Sequence, residues 1–233
     1  MSDGAVLADV IVAPGRAFRE IAARPRFAAP LGLAVFLALV VAVVWIGRVD
    51  AAEFMRAQLD ASGVMENMPA DQRAAFVAGQ ARLFKRMALF VPLVGVPATY
   101  AALAGVFFVV YRFFYAAELS YRQSLAVVAW TAAAFRVVTT PLVLLVMTLR
   151  GDWNVDPQEA LLASPAALLD RAATPPSLFA LAEAFDLFTL WAIALLSIGY
   201  AAVIGGRPKA AAWGVVVPWI LFVLGKAALA ALF

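Results

Sequence analysis

Long apolar runs separated by short polar segments dominate the chain, and this pattern predicts its secondary structure. A helix needs about 20 predominantly apolar residues to cross a bilayer. Five stretches meet that length, at residues 27–47, 87–111, 123–149, 178–206 and 210–233. Lipid cannot satisfy free backbone polar groups, and no segment alternates with the period of a barrel strand. The predicted fold is therefore all-α, a polytopic transmembrane helical bundle of about five spans that forms one membrane domain over residues 1–233.

The segment before the first span, residues 5–24, has the pattern of a short amphipathic helix. Pro14 suits a first helical position, and the apolar residues Phe18 and Ile21 fall on one face while Arg16 and Arg19 fall on the other. Such a helix is expected to lie in the cytoplasmic interface of the membrane. It either anchors the bundle as a lead-in helix or docks a specific partner.

The two longer connections, residues 48–86 and 150–177, are predicted to be helical and extracytoplasmic. Phe76, Val77, Gln80 and Phe84 recur at helical spacing, which predicts that the second span extends outward as one long helix. In the later connection Asp156-Pro157 and Ser164-Pro165 each resemble a cap followed by a first-turn proline, which predicts short helices there.

Lysine and arginine near the span ends predict the orientation. The basic segments are short, and the positive-inside rule places them in the cytoplasm. They contain Arg16, Arg19, Arg24 and Arg26 before the first span, Arg112 and Arg122 in the second connection, and Arg207 and Lys209 in the fourth. The chain is expected in a bacterial inner membrane with its N-terminus cytoplasmic and its C-terminus extracytoplasmic. One basic cluster, Arg82, Lys85 and Arg86, opposes this orientation.

Composition narrows the possible chemistry. The chain is 65% hydrophobic and 14% charged, whereas charged residues make up about a quarter of a soluble domain. It contains no cysteine and no histidine, which removes thiol chemistry, the commonest general base and the commonest transition-metal ligands. The interpretation is no enzyme, no catalytic residue, no metal and no cofactor. The net charge of +3 is explained by topology, so no nucleic acid partner is expected.

Four ionisable residues lie within predicted spans: Arg136, Glu183, Asp186 and Lys226. Such groups are costly in lipid and usually pair with one another or face water. Glu183 and Asp186 share one helix face, and Asp186 lies at a depth where Arg136 or Lys226 can reach it. The cluster is either a set of interhelical ion pairs that fix packing, or a proton or ion relay or lipid head-group site.

Several short motifs resemble the bacterial branch of the Yip family, the Ypt-interacting proteins. They are the segment Pro14-x3-Phe18-x2-Ile21-x3-Pro25, Pro30 at the mouth of the first span, and Asp186-Leu-Phe-x2-Trp191 at the start of the fourth. The resemblance implies a five-span membrane protein without known catalytic activity. Eukaryotic relatives bind Rab-type GTPases through a cytosolic N-terminal region and associate with one another. That region is short here, so the GTPase-binding role is not carried over.

Two hypotheses for function follow. The first is a non-enzymatic protein that organises membrane or binds partners, in contact with membrane lipids and with a second copy or another membrane protein. The second is a small-solute or ion transporter or channel subunit in which the intramembrane charges line a path. The absence of matching broken helices or inverted halves in the sequence weighs against transport.

Overall fold

The structure is a computed structural model that describes residues 2–66, 68–161, 163–170 and 173–232. Every regular element in this part of the chain is helical. The α-helices are α1 (Asp3–Val12), α2 (Pro14–Ala23), α3 (Ala28–Ile46), α4 (Ala51–Ala61), α5 (Ala70–Phe90), α6 (Val96–Val109), α7 (Tyr121–Arg150), α8 (Pro176–Ala184), α9 (Leu187–Ile204) and α10 (Pro208–Leu232).

Five helices are long and apolar enough to cross a membrane, as the sequence pattern predicted. They cover Ala28–Ile46, Ala70–Phe114, Tyr121–Arg150, Leu187–Ile204 and Lys209–Ala231. The all-α transmembrane fold class is therefore confirmed.

The second of these helices is one continuous run of 45 residues, so the second span continues as a helix on its N-terminal side, as the residue spacing predicted. It joins α5 to α6 through the π-helical segment Val91–Gly95 and ends in a second one, Val110–Phe114. Pro92 lies in the first π segment. Proline has no N–H to donate within a helix, so the wider turn occurs where the regular hydrogen-bond ladder is interrupted.

The predicted fourth span, residues 178–206, is wrong as one continuous helix. The chain leaves the helical conformation at Phe185 and Asp186, between α8 and α9. Asp186 has extended backbone angles and its carboxylate accepts hydrogen bonds from the N–H groups of Phe188 and Thr189. An aspartate in this position starts a new helix by satisfying its free amide groups.

The later connection is also less helical than predicted. Pro157–Glu159 form a turn, and Pro165–Leu168 form a short 3-10 helix preceded by Ser164. The proline does occupy the first helical position there, but Ser164 makes no side-chain capping bond. Between α7 and α8 the described residues contain no α-helix.

The chain divides into two compact units. Unit 1 contains Met1–Ala34, Thr99–Thr139 and Leu162–Phe233. Its core draws buried side chains from the N-terminal helices, α6, α7, α9 and α10, and includes Val10, Phe18, Tyr111, Val127 and Leu195. Helix α2 packs against α9, and α10 packs against both α8 and α9.

Unit 2 contains Val35–Ala98 and Thr140–Leu161. Its buried cluster is small, formed by Val143, Met147 and Ala160 with partly buried neighbours that include Trp45 and Trp153. The Trp45 indole N–H donates to the Trp153 carbonyl at 2.9 Å. Helix α4 packs against α5.

Candidate functional site

Glu183, at the end of α8, is one of the four predicted intramembrane charges and forms an ion pair. Lys226 of α10 donates to its carboxylate at 3.0 Å. The lysine side chain is 51% exposed and the glutamate side chain 31% exposed, so neither group is buried in protein. This bond joins two helices that pack together, and the sequence had predicted the lysine as a partner for Asp186 instead.

Asp186 does not join this pair. Its Oδ1 accepts from the amides of Phe188 at 2.8 Å and Thr189 at 3.1 Å, and it has no ion-pair partner among the described residues. The predicted pairing of Asp186 with Arg136 or Lys226 is therefore wrong. The physical reason is that the carboxylate is used locally, because the first amides of a helix have no other acceptor within the helix.

Arg136, on α7, belongs to the predicted cluster but pairs neither with Glu183 nor with Asp186. Its Nε atom is buried and has no hydrogen-bond partner in the part of the chain that is described, although the residue as a whole is partly exposed. Ionisable groups in membrane spans usually have partners, so this guanidinium is the exception among the four. Among the described residues, no group of three or more acidic side chains is placed to hold a metal ion.

A buried network of aromatic rings and hydroxyl groups lies at the centre of unit 1. The rings of Tyr111 and Tyr200 stack with centroids 4.5 Å apart and an interplanar angle of 17°. The Tyr111 hydroxyl donates to the Ala211 carbonyl at 2.5 Å. The Tyr200 and Ser124 hydroxyls share a bond of 2.7 Å, and Ser124 donates to the Ala104 carbonyl at 2.7 Å. Every hydroxyl in this network has a partner, as buried polar groups require.

Two glycines allow the helices to approach this network closely. A Cβ atom on Gly214 would lie 2.7 Å from Cζ of Tyr111, and one on Gly199 would lie 2.6 Å from Cγ1 of Val127 and 3.1 Å from the ring of Phe18. No side chain larger than hydrogen fits at either position without movement of its neighbours. The sequence pattern predicted neither this network nor the role of the two glycines. The available signal was a tyrosine within each of two apolar runs, since a buried tyrosine hydroxyl needs a partner.

The N-terminal helices α1 and α2 are packed into unit 1. Phe18 is fully buried, and Val10 and Ile21 are buried with it in the same core. Asp9 is buried and accepts hydrogen bonds from the guanidinium of Arg16, whose side chain is 66% exposed. The predicted apolar face of α2 thus contacts α9, a protein surface.

Hydrogen bonds bring the three basic segments to one end of unit 1. Arg122 donates to the carbonyl of Pro25 at 3.1 Å, which joins the start of α7 to the end of the α2 region. The Tyr115 hydroxyl donates to the Ala210 carbonyl at 3.2 Å, which joins the end of the second helical run to the start of α10. The exposed arginines at this end include Arg19, Arg24 and Arg112.

Comparison with known proteins gives one match. The family model of the Yip1 domain matches residues 8–229, nearly the whole chain. The chain belongs to the Yip1-domain family. No curated protein and no solved structure matches it.

The motif positions that carry the Yip-family resemblance all lie in unit 1. Pro14 is the first residue of α2, Phe18 is buried, and Pro30 is buried in the first turn of α3. The Pro25 carbonyl accepts from Arg122, Asp186 caps α9, and Trp191 packs partly buried against the core. In this Yip1-domain chain the motif positions therefore serve the packing of α2 and the start of α9.

Proposed function

We propose that this Yip1-domain chain is a non-enzymatic membrane-organising protein that self-associates in the bilayer and binds acidic surfaces through the exposed arginines of α2 and of the residues that follow it. The observation that carries the proposal is the docking of these two helices in unit 1, with Phe18 fully buried and the arginines of α2 exposed.

Docking matters because it holds the arginines in one arrangement. Fully burying a phenylalanine contributes about 1.5–3 kcal/mol relative to leaving it exposed. The pair of Asp9 with Arg16 joins α1 to α2 at the same place. Since these contacts already order the segment, binding a partner would cost less conformational entropy than binding by a disordered tail.

The same basic end supports an orientation. Positive charge near span ends favours the cytoplasm, and Arg24, Arg122 and Arg207 belong to segments gathered at this end of unit 1. We infer a cytoplasmic N-terminus, an extracytoplasmic C-terminus and a place in the bacterial inner membrane. Reporter fusions at the connections containing Arg122 and Arg207 should report the cytoplasm, and fusions on opposite sides would contradict this orientation.

The function is tested in proteoliposomes that contain anionic phospholipid. We expect the protein to change vesicle size or cluster vesicles, measured by light scattering and electron microscopy, without releasing a trapped small solute. Neutralising Arg19 and Arg24 to glutamine should weaken that effect. The matched control neutralises Arg56 and Arg150, which are also exposed, and should leave it intact.

Self-association is measured on the same samples by chemical crosslinking at several protein-to-lipid ratios. A crosslinked dimer that persists as the protein is diluted in lipid supports the proposal. Vesicles that keep their size and a chain that stays monomeric would together contradict it.

One observation favours transport as a second candidate. The Nε of Arg136 is buried and has no hydrogen-bond partner among the described residues, and ionisable groups within spans commonly mark ion or substrate paths. Transport predicts a solute flux that Arg136→Gln abolishes. Asp186→Asn is a useful companion, because asparagine caps helices about as well as aspartate and the fold should survive. A flux lost in both variants would replace the first proposal.

A further inference from the structure

Unit 2 contains an open groove of about 460 Å³ between the start of α4 and the middle of α5. Its surface includes four alanines, Ala51 and Ala52 from α4 and Ala78 and Ala81 from α5. Because these side chains are single methyl groups, the two packed helices leave room between them. The volume falls within the range of about 300–1,000 Å³ that is usual for small-molecule sites.

Charged side chains of both signs line this groove. Arg82 and Lys85 are exposed cations that lie about one helical turn apart on α5. The Arg82 Nε donates to the Ala78 carbonyl at 3.2 Å, which fixes the base of the guanidinium on its own helix. Two cations on one wall suit an anionic group with several acceptor oxygens, such as a phosphate ester.

Asp50 supplies the negative charge of the groove. Its Oδ1 accepts from the amides of Ala52 at 2.9 Å and Glu53 at 3.1 Å and so caps α4. Hydrogen bonds from the Glu53 and Ala52 amides, with the fields of Lys85 and Arg56, lower the pKa of Asp50 below its ordinary value. The group is therefore ionised at neutral pH, and its Oδ2 accepts no hydrogen bond from the described residues.

The groove lies beside the ends of two span helices. Asp50 follows the end of α3 at Ile46, and Lys85 precedes the long apolar stretch of the second span, which begins at Met87. The rings of Trp45 and Phe84 meet edge to face with centroids 5.2 Å apart, so the two span ends share one level in unit 2. Tryptophan at a span end is typical of the interface where lipid head groups lie.

We infer that this groove binds the head group of phosphatidylethanolamine, with the phosphodiester against Arg82 and Lys85 and the primary ammonium at Asp50. Two cations and one carboxylate complement one phosphate and one ammonium. A primary ammonium can donate hydrogen bonds to the carboxylate, whereas the quaternary ammonium of a choline head group cannot. The inference does not rest on the proposed function, because none of these residues belongs to α1, α2 or unit 1.

The test uses native mass spectrometry of the full-length protein, purified in a mild detergent and titrated with defined lipids. The lipids are phosphatidylethanolamine, phosphatidylcholine, phosphatidylglycerol and diacylglycerol, and glycerophosphoethanolamine serves as the soluble source of the same head group. We expect one phosphatidylethanolamine per chain to survive activation energies that strip the other lipids. Diacylglycerol and the soluble compound should bind at least tenfold more weakly, because the first lacks the phosphate and the second lacks the apolar chains.

Two variants of the groove test which side chains contact the phosphate and which contacts the ammonium group. Arg82→Gln with Lys85→Gln should weaken phosphatidylethanolamine binding by about tenfold or more, since each removes a charge-assisted hydrogen bond. Arg56→Gln with Arg86→Gln is the matched control, because it removes the same charge from exposed positions that do not line the groove. Asp50→Asn keeps a capping side chain and should erase the preference for ethanolamine over choline and glycerol head groups.

Any one of four results would overturn the inference. If phosphatidylethanolamine binding falls equally in the groove variant and in the matched control, binding depends on general surface charge and not on the groove. Equal binding of diacylglycerol would show that no phosphate is recognised, and equal binding of the soluble compound would show that the lipid is not the ligand. An unchanged head-group preference in Asp50→Asn would show that Asp50 does not bind the ammonium group. Circular dichroism of each variant verifies that the helices are retained.

Discussion

Units 1 and 2 differ in where their specific side-chain contacts lie. In unit 1 the distinguishing contacts are buried, within a core that also holds Phe18. Tyr200 and Ser124 share a hydrogen bond, and Tyr111 and Ser124 each donate to a nearby carbonyl. In unit 2 the buried cluster is small, and the distinguishing contacts are aromatic and polar groups at a span end, such as Trp45 with Phe54 and Phe84.

The difference shows which kind of contact specifies each region. A packed core with satisfied hydroxyls tolerates few changes of volume, whereas exposed and partly exposed groups can usually be replaced at little cost. Substitutions in the core of unit 1 should therefore destabilise the protein more than substitutions of the exposed groups of unit 2. Four substitutions test that comparison.

Phe18→Ala should have the largest effect. Removing a fully buried phenylalanine costs about 3–5 kcal/mol, through lost burial and the cavity that remains. We expect a lower free energy of unfolding in mixed micelles and faster proteolysis at the arginines of α2. The control is Val12→Ala, because Val12 is 77% exposed and should change neither measurement. A wild-type-like Phe18→Ala variant would show that α2 is not docked.

Gly214→Ala is expected to destabilise unit 1 by about 1–3 kcal/mol, the usual cost of overpacking. The new methyl would meet the Tyr111 ring, which is fully buried and hydrogen-bonded and therefore has little room to move. On the same helix a Cβ at Gly225 meets nothing within 4 Å. Gly225→Ala should be neutral or slightly stabilising, because alanine has the higher helix propensity. The two melting temperatures in detergent give the comparison directly, and equal values would refute close packing at Gly214.

Tyr200→Phe should cost about 0.5–1.5 kcal/mol, the net value of one buried hydrogen bond. The loss is limited because Ser124 keeps its bond to the Ala104 carbonyl, and the aromatic stack with Tyr111 is retained. Ser124→Ala in the Tyr200→Phe background completes a double-mutant cycle. Additive losses in that cycle would mean that the two hydroxyls do not interact.

Asp50→Ala in unit 2 should have the smallest global effect. We expect faster hydrogen exchange at the first amides of α4 and an unchanged melting temperature. Because the pKa of Asp50 is lowered in the folded protein, the cap is fully present above the unfolded pKa of about 4 and is lost as pH falls through the lowered value. In Asp50→Asn the same amides should keep their protection, with no such dependence on pH. A loss of global stability as large as that in Phe18→Ala would reverse the comparison of the two units.

The sequence alone was enough to predict the all-α class, the approximate positions of the spans, the helical extension before the second span and the family. These properties follow from local causes. Each residue contributes its own preference for lipid or water, and the length of an apolar run fixes whether a helix can cross. A proline such as Pro14 also marks a helix start without reference to the rest of the chain.

Which groups are partners follows instead from the packing of the helices in space. Hydropathy placed Glu183, Asp186 and Lys226 together, yet it could not show that the lysine binds the glutamate while the aspartate caps α9. Tyr111 and Ala211 are 100 residues apart, and only the packing of their helices brings the hydroxyl to the carbonyl. The physical reason is that burial in lipid or protein gives the same apolar signal along the chain, whereas a hydrogen bond or a close approach depends on distance and direction in space.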